Sequence, residues 1–154
     1  MAKIPQARRS KKRGRPRLDV LFARYEIRIT SWDFSWSFYL SDPSNQWQGK
    51  NHFKEMTTLI LKGRVIEPEG FKYPEALIRL VADPRLDTLV EQPTAIGSVH
   101  INDEQFTGYV CIPCNQMPML LGVANRLLCI ELNGTPLRYR KALIREIHLS
   151  TYRE

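Results

Sequence analysis

The chain has 154 residues, 43% hydrophobic and 25% charged, with 23 basic and 16 acidic residues and a net charge of +7. This is the composition of an ordinary soluble protein, long enough for one domain with a core and without need of a metal or disulfide staple. Three cysteines, an odd number, argue against a disulfide framework; no apolar run approaches the length of a membrane span, and the basic N-terminus lacks the apolar stretch of a secretory signal.

The positive charge is concentrated at the start. Eight of the first eighteen residues are Lys or Arg and none is acidic; 23 less 8 leaves 15 basic against 16 acidic residues in the remainder. A like-charge block this dense cannot bury enough apolar surface to offset its ordering entropy, so residues 1–19 are expected as a tail disordered when free. Residues 20–154 are expected as a single β-rich domain, with the junction near Leu18 to Leu21. Within the tail, Arg13-Gly14-Arg15-Pro16, preceded by Lys11 and Lys12 and followed by Arg17, resembles an AT-hook. The resemblance covers about eight residues and implies a DNA contact for those alone. Arginines flanking a glycine would lie along an A·T-rich minor groove, Gly14 would let the backbone approach its floor, and Pro16 would lead the chain out. Arg8, Arg9 and the neighbouring cations would neutralise phosphates. Other roles for such a tail are an RNA-binding arm, a nuclear localisation signal, a solubilising segment or a dock for an acidic protein surface.

Period-two alternation dominates the rest. Tyr25, Ile27 and Ile29 mark one half-buried strand. Trp32, Phe34, Trp36, Phe38 and Leu40 then share one parity against Ser35, Ser37, Tyr39 and Ser41, which predicts a core wall, the alternative being a row that stacks bases. Asp42 to Phe53 reads as a polar loop, with Trp47 folding back over the core, the alternative being an exposed anchor for a partner. Further strands are predicted over Met56 to Glu67, with Gly63 at a bulge or close approach, and over Ala76 to Ala82. Arg85 to Pro93 reads as loop with a short helical turn. Ala95 to Ile101 and Gln105 to Ile112 form a hairpin around Asn102-Asp103-Glu104. One helix follows, capped by Asn115, with Pro118 in its first turn and an end near Asn125. Leu127 to Leu132 turns back at Asn133-Gly134 through Leu137 and Tyr139, and Ala142 to Thr151 closes the chain. The sum is an all-β, mainly antiparallel fold, a sandwich or open barrel of about eight strands with one short helix.

Few residues offer chemistry. Cys111-Ile112-Pro113-Cys114 lies between a strand and the predicted helix, where a thioredoxin-like redox pair would sit, but the strands on both sides do not fit that fold. Zinc would need two further ligands, and only Cys129, His52, His100 and His148 are available, at irregular distances. His100 falls on the face opposite Val99 and Ile101. No nucleophile elbow, phosphate loop or carboxylate pair is present. Arg138, Arg140 and Lys141, with Tyr139 and Arg145, form a second basic cluster. The reading is therefore a non-enzymatic protein, without cofactor or metal, that binds DNA or RNA through its tail and contacts a protein partner or a second copy of itself through its β domain. It is expected in the cytoplasm, at the nucleoid in a bacterium or in the nucleus of a eukaryote. The alternative is an interaction or regulatory subunit with no nucleic-acid role.

Overall fold

A computed structural model describes residues 22–40, 53–88 and 93–151. The tail residues Arg8 to Arg17, the junction near Leu18 to Leu21, and Trp47 in its loop lie outside the described residues.

Seven strands are present among the described residues: β1 (Ala23–Leu40), β2 (Phe53–Glu67), β3 (Glu75–Asp83), β4 (Gly97–Asn102), β5 (Gln105–Pro113), β6 (Cys129–Gly134) and β7 (Lys141–Ser150). They close into a barrel in the order β1-β2-β3-β5-β4-β7-β6. Every neighbouring pair is antiparallel except β3 and β5. The expected all-β, mainly antiparallel architecture with one short helix is therefore found, as a closed barrel.

Two expected breaks in the chain are absent, and each has a physical reason. The two runs predicted on either side of Ser31 are one strand, β1, which contains neither Gly nor Pro. Ile29 pairs with Gly63 and Ser31 with Lys62, so Thr30 is an unopposed bulge residue. The extra residue moves the inward set from Tyr25, Ile27 and Ile29 to Trp32, Phe34, Trp36 and Phe38, which accounts for the change of parity in the sequence. Asn133-Gly134 is not a turn either. Both residues belong to β6, and Gly134 pairs with Ala23 on one side and Ile144 on the other. A Cβ on Gly134 would collide with the Leu143 carbonyl, so this glycine serves close strand approach rather than chain reversal. The reversal comes at Tyr139-Arg140, where φ is 50° and 64°, and Arg138 and Lys141 exchange both backbone hydrogen bonds at 2.9 and 3.0 Å. This is the two-residue turn whose left-handed backbone suits strand twist. The turn between β4 and β5 has the same form at Asp103 and Glu104.

The helix α1 (Met117–Val123) follows a 3-10 turn at Cys114–Gln116. Pro118 occupies its first turn as predicted, but Asn115 lies in the 3-10 turn and Gln116 takes the capping position without a side-chain bond.

The inward faces of the strands fill the barrel. Ile27, Leu59, Leu61, Ile78, Leu80, Val99, Phe106, Val110, Ile130, Leu132 and Ile144 are fully buried. The Phe106 ring lies 5.2 Å from Tyr25 and 5.6 Å from Phe71, at the centre of an aromatic cluster. Each large side chain so buried contributes roughly 1.5–3 kcal/mol. Ala23, the Glu67–Glu75 connection and the turns at Asp103 and Tyr139 all lie at one end of the barrel, as the pairs Ala23 with Gly134 and Asn102 with Gln105 require. The distal half of β1, the 3-10 turn at Pro84–Thr88 and α1 lie at the other end.

Candidate functional site

β1 and β2 outrun the barrel. On one side β1 pairs with β6 only as far as Arg28 opposite Cys129, with one more backbone bond from Ile29 N–H to the Leu128 carbonyl. β3 leaves β2 at Thr58 opposite Val81. Beyond these points the two strands continue as a two-stranded ribbon up to Leu40 opposite Phe53.

The ring row runs out onto this ribbon, with Trp32 and Phe34 where β2 is still paired with β3 and Trp36 and Phe38 beyond it. Trp32 is paired with Leu61, Phe34 with Leu59, Trp36 with Thr57 and Phe38 with Glu55. Directly opposed residues share a face, so the rings continue the same face that Leu59 and Leu61 bury in the barrel. The expectation that this row is a core wall is overturned. Trp32 is 41% exposed, Phe34 52%, Trp36 59% and Phe38 56%. The face was read correctly, but the strands that would cover it end too soon.

The geometry around the rings is ordered. The Trp36 indole N–H donates to Glu55 Oε1 at 2.8 Å. The Trp36 and Phe38 rings stand with centroids 6.3 Å apart and planes 5° from parallel. Phe34, Trp36, Glu55 and Thr57 form one wall of a groove of about 540 Å³. Ala82 and Pro84, and Cys114, Met117, Pro118 and Leu121 from the α1 region, line the rest of it. Met119 and Tyr39 add exposed apolar surface at this end.

The Cys-x-x-Cys segment borders the same groove, and its electrostatics are those of a resting thiol pair. All three cysteines are free. Burial and the Asp83 carboxylate push the Cys111 thiol up, and burial with the carboxylates of Asp87, Asp83 and Glu55 does the same to Cys114. A redox nucleophile needs the opposite shift. The Arg85 side chain beside Asp83, with contacts of 2.7 to 3.2 Å, holds that carboxyl below the usual carboxylate range. Cys129, buried beside Glu26, has its thiol pushed up to about 11. Among the described residues no group of three or more His, Cys, Asp or Glu could hold a metal ion, and no helix is long and apolar enough to cross a membrane.

The second basic cluster lies at the opposite end. Tyr139 is 90% exposed at the turn tip. Arg140 pairs with Glu104 at 3.4 Å and stacks 5.9 Å from the Tyr73 ring, over which Lys72 also lies at 5.2 Å. Arg138 and Lys141 hold the base of the turn through their backbones. Arg138 to Lys141 of the cluster thus form a turn, in which Arg140 has a carboxylate partner. Both Arg138–Lys141 and Ala23, where the chain enters β1, stand at this end. His100 faces outward from β4, with Nε2 3.1 Å from Ser98 Oγ.

Compared with protein-family models, with curated proteins and with solved structures, the chain matches none.

Proposed function

We propose that this is a non-enzymatic nucleic-acid-binding accessory protein, whose ribbon rings stack bases of a single strand while the basic N-terminal segment neutralises phosphates. The observation that carries the reading is the exposure of Trp32, Phe34, Trp36 and Phe38 on one face that runs off the end of the barrel. Successive same-face residues in a strand recur every 6–7 Å or so, a spacing that lets neighbouring bases each find a ring, and such stacking is tolerant of sequence. Trp36 is held in orientation by Glu55, so little freedom is lost when a base covers it.

The tail supports the same partner by charge. Arg17 precedes Ala23 by six residues and Arg8 by fifteen, spans of at most about 20 and 50 Å. Ala23 stands roughly 30 Å of strand from Trp32, so the outer part of the tail has the reach to lie beside the ribbon. The AT-hook-like segment Lys11 to Arg17 adds a duplex-contacting form of the same interaction, selective for A·T-rich minor grooves.

A second reading is that the groove docks an apolar segment of a partner protein. It is favoured by the carboxylates of Glu55, Asp83 and Asp87 at the groove, which have the wrong sign for phosphates. Titrating a single-stranded oligonucleotide into the intact protein, the Arg13→Ala/Arg15→Ala variant and the Phe34→Ala/Trp36→Ala variant separates the two. The nucleic-acid reading expects both variants to bind more weakly, the first with a shallower salt dependence. Unchanged affinity in the ring variant leaves only the protein-docking reading. For the hook, equal affinity of intact protein for A·T-rich and G·C-rich duplexes removes the minor-groove preference.

A further inference from the structure

Arg28, Lys62, Arg64 and Arg79 are far apart in sequence, and the pairing register gathers them on the outer wall of the barrel below the ribbon. Arg28 of β1 is directly opposite Arg64 of β2, Lys62 is the next residue of β2 on that face, and Arg79 of β3 lies diagonal to it, opposite Ile60. Arg28, Lys62 and Arg64 are exposed, and Arg79 is half-buried. Among the described residues none of the four side chains is in an ion pair or hydrogen bond, whereas Arg24, Arg85 and Arg140 each have a carboxylate partner. Glu75 is opposite Arg64 across β3, but no ion pair joins them. Tyr109, opposite Arg79 on β5, is 46% exposed and adds an aromatic at the edge of the group.

Two like charges directly opposite on adjacent strands are destabilising relative to a neutral pair. Carboxylates lie nearby, Glu75 opposite Arg64 on β3 and Glu26 next along the outward face of β1, but Glu26 is engaged by Arg24 at 3.4 Å and neither forms an ion pair with Arg28 or Arg64. The outward positions next along the ribbon, Ser31, Ser35 and Ser37, are uncharged and small, with Asp33 the one acid among them.

We infer that Arg28, Lys62, Arg64 and Arg79 form a phosphate-binding strip, which takes the sugar-phosphate backbone of the strand whose bases the ring row holds. The inference rests on the nucleic-acid reading above and extends it to the barrel wall. β1 is the outer strand of the ribbon beyond Arg28, so a single strand passes over its open edge from the ring face to the strip. The strip contributes charge at fixed positions, unlike the tail, and each cation that meets a phosphate releases counterions on binding.

The test is a salt titration with a single-stranded oligonucleotide, using the full chain and an Arg28→Gln/Lys62→Gln/Arg64→Gln variant. Neutralising three phosphate contacts should flatten the slope of log affinity against log salt by about 2, at roughly 0.7 per phosphate for single strands. Removing the Arg28–Arg64 repulsion should leave the midpoint of chemical denaturation unchanged or raised, so a weaker binder that is at least as stable is the expected signature. Binding by the intact chain with the same slope in both proteins overturns the strip alone. Failure of the intact chain to bind overturns the strip together with the stacking reading. A lowered denaturation midpoint in the variant also counts against the strip, because it would give the cations a structural role.

Discussion

The two halves of β1 have the same alternation and opposite fates. Tyr25 and Ile27 are 3% and 1% exposed, while Trp36, nine residues beyond Ile27 and on the same sheet face, is 59% exposed. Nothing in the local pattern separates them. What separates them is the far wall: the first half looks across the barrel at Phe106 and its neighbours, whereas the second half extends past Thr58 and Cys129, where β3 and β6 have already left. Alternation fixes which side a residue faces, and burial is then decided by whether another element arrives to cover that side. An apolar row left uncovered at the end of a well-filled barrel is a surface available for contact.

This contrast can be broken most forcefully in the barrel half. Ile27→Ala should lower stability by about 2–5 kcal/mol, read as a reduced denaturation midpoint, while Trp36→Ala should change it by no more than about 0.5 kcal/mol. Equal losses would mean that the ribbon rings are core after all. The junction of the halves is the next place to probe. A Cβ at Gly63 would run into the Arg28 carbonyl, next to the Thr30 bulge, so Gly63→Ala should cost about 1–3 kcal/mol as an overpacked site. Exposed Gly122 in α1 has nothing near its Cβ position, so Gly122→Ala is the control of opposite sign, expected to leave stability unchanged or raise it by up to about 1 kcal/mol.

How much of this was legible follows from the same contrast. Strand alternation, the Gly63 close approach, the Asp103 turn, the helix with Pro118 in its first turn and the outward side of His100 were readable, because each depends on neighbours within a few residues. The exposure of the ring row depends on where β3 and β6 end, which is set by pairings from remote parts of the chain. Asn133-Gly134 carries a strong local turn signal, yet tertiary pairing on both sides kept it in β6. The outer-wall cations Arg28, Lys62, Arg64 and Arg79 gave little signal. Their gathering is a consequence of register, and only their common outward parity hinted at it. The charge density of the N-terminal segment is a matter of composition, and that segment lies outside the described residues.

Binding should sharpen the comparison in the opposite sense. Trp36→Ala should weaken binding of a single-stranded oligonucleotide by about 1–3 kcal/mol, or roughly 5- to 150-fold, and Met119→Ala on the exposed face of α1 should leave it unchanged. The smallest expected effect is a pH dependence at the barrel wall. An unfolded Cys129 thiol ionises near 9 and the folded one near 11. Below pH 9 both states keep the proton; between 9 and 11 the unfolded state loses it first, so stability falls as pH rises through this window. Tyr25, buried and likewise shifted up, acts in the same direction. Cys129→Ala should flatten part of the decline, by on the order of 1 kcal/mol once solvent screening is allowed for, measured as denaturation midpoints at pH 8 and pH 10.5.

The central claim is that the exposed rings of β1 hold nucleobases, and the intrinsic fluorescence of the intact protein tests it most directly. Titration with a single-stranded oligothymidylate, at a salt concentration high enough to screen the tail, should quench tryptophan emission saturably. In Trp36→Ala the quenching should be smaller and should need more oligonucleotide to saturate, with Trp32 keeping part of it. Emission that stays constant through the titration, or the same quenching curve in both proteins, would contradict it.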